Sequence, residues 1–454
     1  MISNTMRGLG WGLALALAIA PLARAQETAD GRVARLEQEL ARLAKADEEN
    51  QRRQKILTEE VRKLREALVL PEKKELKAQY GVGPAASKVY QKEKGFSIGG
   101  YGQGWYTGLV NHKGANTNSV DLQRFVLYTG YKFNDRLVFN AEVEHEDATT
   151  EKGGSVSVEF AQMDFLNDPK LNFRAGILLL PIGFINQLHE PLFYHGNQRP
   201  EVERQIIPAT WGEAGAGIFG KLTDEWDYQA CVVSSMRASG FSGDNLREGR
   251  QGGAQALAED SSLVLRSDYQ ITPELSAGGS VYSGNQGQGE SFQVDAAGTM
   301  VRPDVHLNLW EAHAQYRSGG LQLRALGTRA NVDDAGVLSA AEIVRAAAAG
   351  RPSNGPIGSR LSGAYVEAAY DLMPHFNSRS NQSLDLFVRR EAFDTLDRVP
   401  AGFADDPSKD VRLTTVGLDY KPDPQIVLKL DYRIFDLGAG ARPDEIDLGV
   451  GWIF

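Results

Sequence analysis

The densest group of side chains able to bind or transfer charge lies between residues 181 and 212: His189, Glu190, His195, Arg199, Glu201, Glu203 and Arg204. At neutral pH it sets three carboxylates against two guanidiniums and contains no lysine. Two imidazoles beside a carboxylate could ligate a metal, but His189, Glu190 and His195 lack the spacing that places ligands on one helix face. Seven histidines scattered over 454 residues form no Ser, His and Asp constellation for acyl transfer. The chain is therefore read as not an enzyme, with no catalytic residue, no metal ligand and no cofactor.

A second set of charges is spread along the chain. Arg174, Arg266, Arg317, Arg324, Arg389 and Arg433 each take the polar parity of an alternating run. Guanidiniums facing a narrow aqueous space would hold carboxylate or phosphate bidentately. The alternative is that they pair with Glu142, Glu144, Asp268, Asp385 and Asp431, leaving a weakly selective wall.

The elements that must position these charges are strands. From Phe96 to the end, runs of roughly ten residues alternate with period two. Leu137, Phe139, Ala141 and Val143 face one way while Asn140, Glu142 and Glu144 face the other. Trp310, Ala312, Ala314 and Tyr316 stand against Glu311, His313, Gln315 and Arg317. Charged faces of this kind cannot pack on a second sheet, whereas lipid outside and water inside satisfy both.

Connection lengths supply the topology. Short turns are expected near Asn134-Asp135, Asn167-Asp168-Pro169, Thr223-Asp224, Thr272-Pro273, Gly319-Gly320, Pro374 to Ser380 and Lys421-Pro422-Asp423. Between them run longer stretches at 110 to 119, 147 to 154, 181 to 212, 237 to 257, 286 to 306, 333 to 360, 394 to 410 and 437 to 443. Eight loops alternating with short turns predict an all-β, transmembrane antiparallel barrel of about sixteen strands over 96–454, wide enough to hold water. The final run sets Ile446, Leu448, Val450, Trp452 and Phe454 outward, with Glu445, Asp447, Gly449 and Gly451 inward. Such a last strand ending on Phe454 resembles the one outer-membrane proteins present to the barrel-assembly machinery.

The N-terminal part reads differently. A basic start, an apolar run from Leu9 to Ala20 and the small residues Ala23 and Ala25 predict a signal peptide over 1–25, too short to span a bilayer. Positions 33, 36, 40, 43, 47, 50, 54, 57, 61, 64 and 68 follow heptad spacing, and eight of the eleven are Val or Leu. The exceptions, Asp47, Asn50 and Gln54, sit together where buried polar groups fix register and oligomer state. A periplasmic coiled coil over 26–70 is expected, with identical partners. Residues 71–95 read as a polar, Lys-rich linker without an evident core. A net charge of -10 argues against nucleic acid, and Cys231, the single cysteine, has no disulfide partner in the chain.

Three stretches carry a family likeness: Arg124 through Lys132; Phe173-Arg174-Ala175-Gly176 leading to Pro181-Ile182-Gly183-Phe184; and Trp211-Gly212-Glu213-Ala214-Gly215. In these the chain resembles the phosphate-selective porin O and P family, and the heptads resemble those of trimeric porins of the dicarboxylate-uptake kind. The resemblance implies a homotrimer in the bacterial outer membrane, among lipid and lipopolysaccharide. It also implies passive diffusion of small hydrophilic solutes, anions such as phosphate or carboxylates, past a third loop folded into the lumen. Phosphate-selective members place lysines at that constriction, which this loop lacks. The competing expectation is a structural or adhesive anchor, with the coiled coil binding the cell wall.

Overall fold

The computed structural model describes residues 29–67, 77–110, 118–377 and 381–454. The signal peptide expected over 1–25 and the first part of the expected linker, 71–76, lie outside the described residues. The chain divides into two compact units, Met1–Lys73 and Lys74–Phe454.

In the first unit, helix α1 (Ala29–Ala67) runs for 39 residues, a length of roughly 58 Å at 1.5 Å per residue. Its seam stays open in a single chain: Leu40, Leu43, Leu57 and Val61 are all exposed.

The second unit is a closed antiparallel barrel of sixteen strands. They are β1 (Gly95–Val110), β2 (Ser119–Asn134), β3 (Leu137–Glu146), β4 (Val156–Asp168), β5 (Leu171–Leu179), β6 (Gly212–Thr223), β7 (Trp226–Ser234) and β8 (Ser261–Gln270). After these come β9 (Leu275–Asn285), β10 (His306–Ser318), β11 (Leu321–Val332), β12 (Arg360–Asp371), β13 (Ser383–Arg398), β14 (Asp410–Asp423), β15 (Ile426–Leu437) and β16 (Asp444–Ile453). Each pairs with its sequence neighbours, and β16 closes on β1 from Tyr101↔Ile453 to Val110↔Asp444. All sixteen expected strands and the alternation of short and long connections are present.

Strand β15 shows why this sheet belongs in lipid. Leu428, Leu430 and Ile434 are 45, 43 and 42% exposed, whereas Lys429, Asp431 and Arg433 between them are 1, 1 and 0% exposed. A water-soluble protein inverts that pattern; an apolar girdle around a polar interior requires it. Leu386 and Val388 on β13, and Ile446 and Leu448 on β16, extend the same exposed surface.

The structure corrects two expectations. Residues 77–95 are not a coreless linker. Val82, Ala85, Ala86 and Val89 follow an i, i+3, i+4, i+7 spacing around the short helix α2 (Pro84–Ser87), and they bury against the inward Tyr101, Val126, Val138 and Phe160. Lysines flanking this cluster hid it. The lumen also holds more than the one third loop expected in it. Loops after β5 and β7, and helix α4 (Ala335–Ala348) in the loop after β11, enclose a hydrophobic core with inward residues of β7 to β12, including Val233, Val264, Leu307, Leu326 and Leu361.

Candidate pore constriction

The third loop, residues 180–211, lies inside the barrel. At its neck, Asn186 donates to the carbonyls of Leu180 (2.7 Å) and Trp211 (3.1 Å) and accepts from the Trp211 N–H at 2.5 Å. Trp211 is fully buried, and its ring lies 4.5 Å from that of Tyr282. A short helix, α3 (Glu201–Gln205), follows the loop tip.

Charged wall residues clamp the tip by its backbone. Lys429 donates to the carbonyls of Tyr194 (2.8 Å) and Gly196 (2.7 Å), and Arg389 donates to those of His195 (3.0 Å) and Gln198 (3.2 Å). Asp431 accepts from the Asn197 N–H at 2.7 Å. Gly196 makes the turn at φ 76, with Phe387 and Asp431 beside the position of any added Cβ.

The loop residues singled out by sequence divide by environment. His189 is buried, with Nε2 3.1 Å from Glu142 and 3.4 Å from Glu159. Burial holds its pKa below the ordinary value. Glu190 accepts from the Ala85 N–H at 3.1 Å, and burial pushes its carboxyl up to about 7. His195 sits 2.9 Å from Glu367 and stacks on Phe387. Glu203, raised by burial, accepts from the Ile185 N–H and the Tyr365 hydroxyl at 2.8 and 2.7 Å. For Glu201 burial acts in the opposite sense from its partners: Arg204 (3.1 Å) and Arg433 (2.7 Å) outweigh it and hold the carboxyl at about 2. Arg199 and Arg204 border open space.

The six wall arginines do not form a free ladder. Arg174 binds Asp164 and the Tyr80 carbonyl, and Arg266 binds Asp268 and the Gly183 carbonyl. Arg389 pairs with Glu367 and Glu391, and Arg433 with Glu201 and Glu445. Arg324 donates to the Phe193 carbonyl and to Gln315, while Arg317 reaches Gln315. Among the described residues, only Arg317 and Arg324 of the six form no ion pair. Asp385 faces Lys421 at 3.8 Å instead of an arginine.

Two cavities remain beside the loop tip, and Tyr194 borders both. The one toward the long loops has a volume of about 460 Å³ and is lined by Arg124, Arg199, Arg204 and Arg247, with Glu146 as its carboxylate. The one toward the short turns, about 490 Å³, is lined by His195, Arg317, Asp371, Asp385 and Lys421. Burial first, and then the guanidiniums of Arg250, Arg199 and Arg204, push Arg247 down to about 9, so it stays cationic at neutral pH in a crowded positive field. Arg124 and Arg247 are functional candidates that parity alone missed. Arg124 stands in a stretch that carried the family likeness, whereas Arg247 comes from a loop with no periodicity to read.

No family profile matches the chain. An uncharacterized protein of Aquifex aeolicus (strain VF5) is 35% identical over 401 residues, covering 87% of this chain and 87% of that protein. The chain belongs to the same family. This family shares its barrel with solved outer-membrane structures. Salmonella typhi OmpF in complex with daunomycin superposes with a TM-score of 0.54 at 11% identity, over 81% of this chain and 99% of that one. The loop L8 deletion mutant of OmpT, an outer membrane protein of Vibrio cholerae, gives 0.50 at 12% identity, over 80% and 100%. The likeness is one of fold.

Proposed function

We propose that this family comprises outer-membrane porins and that this member admits small hydrophilic anions by passive diffusion. The observation that carries the proposal is the loop-end cavity beside the third loop's tip, lined by four guanidiniums and one carboxylate. Cations in a confined, low-dielectric mouth raise the local concentration of anions and bind phosphate or carboxylate oxygens bidentately. Arg199 and Arg204 are the loop residues that act there, whereas at the turn end Arg317 and Lys421 are balanced by Asp371 and Asp385. The resemblance to phosphate-selective porins is kept at the level of anion preference, because this loop carries arginines and no lysine. In this reading the charges position the loop and the solute.

The open seam of α1 supports a homotrimer joined by a periplasmic coiled coil, and the outward girdle supports contact with lipid and lipopolysaccharide. The filled side of the lumen favours one second reading, a structural anchor whose barrel conducts little. Planar-bilayer recordings separate the two. A porin gives conductance steps in groups of three, a reversal potential of anionic sign in a salt gradient, and block by phosphate or succinate. Arg199→Glu moves that potential toward cation selectivity. Absence of steps leaves the anchor.

A further inference from the structure

We propose that Glu142 of β3, Glu159 of β4 and His189 of the third loop form a binding site for one divalent transition-metal ion, best matched to Zn²⁺, which pins the loop to the barrel wall. The three residues come from separate segments, which is why spacing along the chain gave no sign of a ligand set. Their donor atoms all lie within 4.8 Å of one another. The tautomer of His189 is decisive. Its Nδ1 faces the Asn186 carbonyl at 3.1 Å, and a carbonyl only accepts, so Nδ1 carries a hydrogen. In the neutral ring Nε2 then presents a lone pair to carboxylate oxygens at 3.1 and 3.4 Å. Three electron-pair donors facing one another repel unless a proton or a metal cation lies among them, and the bound metal satisfies all three at once. A ring N–H held by a backbone carbonyl is also the usual support of a metal-bound histidine.

The carboxylates are short of partners in the same place. Glu142 Oε2 and Glu159 Oε2 are buried without a hydrogen bond, although the other Glu159 oxygen accepts from Thr210 at 2.6 Å. Among the described residues, neither glutamate pairs with Lys or Arg; Arg124 reaches the neighbouring Glu144, at 3.6 Å. Tetrahedral bonds of about 2.1 Å set ligand atoms about 3.4 Å apart, close to the two imidazole–carboxylate separations of 3.1 and 3.4 Å, and one imidazole with two carboxylates suits Zn²⁺ better than Ca²⁺ or Mg²⁺. The site is independent of the transport reading, because retention of metal is measured without current. The full chain, purified in detergent without chelator and desalted, is expected to carry about one Zn²⁺ per protomer by elemental analysis, to lose it to a strong chelator, and to rebind it in calorimetry. His189→Gln and Glu142→Gln abolish retention, whereas Glu144→Gln keeps it. Should the variants fail to fold, chelated wild-type protein titrated with Co²⁺ gives a visible absorption band if the imidazole binds metal. Chelated wild-type protein that takes up neither Zn²⁺ nor Co²⁺ overturns the site, and a doubly protonated His189 ring by ¹⁵N NMR identifies a simple ion pair in its place.

Discussion

The third loop rests between two unlike walls. Toward β7 to β12 it meets side chains such as Val264, Leu307 and Leu361, and it buries Ile182, Ile206, Ile207 and Trp211 among them. Toward β13 to β16 it meets Arg389, Lys429, Asp431 and Arg433, which grip backbone groups and Glu201. Apolar contact is non-directional and worth roughly 1.5–3 kcal/mol for each large side chain fully buried. Hydrogen bonds from charged groups contribute a comparable amount, about 1.5–3 kcal/mol, and in addition fix direction. The apolar wall holds the loop in, and the charged wall fixes where its tip stands.

The largest effect is expected on the apolar wall. Trp211→Ala removes the ring packed on Tyr282 and costs about 3–5 kcal/mol of loop seating. Larger, noisier conductance and protease cutting within 181–211 are expected. An unchanged current and an intact loop would place the anchorage elsewhere.

A middle-sized effect belongs to the polar wall and depends on acidity. The Glu201 carboxyl sits at about 2 against an ordinary 4.5. Because the folded value is depressed, its contribution is complete above about pH 4.5 and drains away as pH falls toward 2. The full amount is about 3 kcal/mol. Loop protection should fall in the wild type as pH is lowered from 5 to 2, and fall less in Glu201→Gln, which keeps the tip's other carboxylate contacts. Arg433→Met should be harsher than Glu201→Gln, since it leaves Glu201 and Glu445 with only the more exposed Arg204 and Arg442 as partners.

The smallest effect sharpens the division of labour. Arg204 is about half exposed and pairs with Glu201 at the cavity edge. Arg204→Ala should alter stability by under about 1 kcal/mol while still reducing anion preference in reversal-potential measurements. A large loss of stability with unchanged selectivity would reverse the roles assigned to the edge and the wall.

The barrel was legible because period-two alternation and turn residues such as Asn134-Asp135 and Gly319-Gly320 are local signals, and local signals survive in a linear chain. Parity also sent Glu142, Arg389 and Arg433 inward. It could not tell which inward group meets which, since the partner of Arg433 is Glu201, 232 positions away. The loop content was visible as a list of charges, yet its residues divide between a dry interior and a wet edge only once the lumen is folded around them. The helix Ala335–Ala348 was hidden for a simpler reason: an alanine-rich run between two strands reads as connection, although alanine favours helix.

The segment around α2 bears on the order of assembly. Its Ala86 carbonyl accepts from Asn140, its Ala85 N–H donates to Glu190, and the hydroxyl of Tyr90 reaches Asp164, so it is gripped from within. The first and last strands meet across some of the longest separations in the chain, as in the bond from Thr107 to Asp447, 340 residues on. Joining such distant ends costs about 5 kcal/mol in chain entropy for a flexible chain, which makes closure a late event. The segment must be seated before that seam shuts, because it lies against β3 and β4 on the inner side. The segment thus serves as a mandrel for one sector of the cylinder, and a chain lacking it would have to find its closing register without that support beneath the first strands.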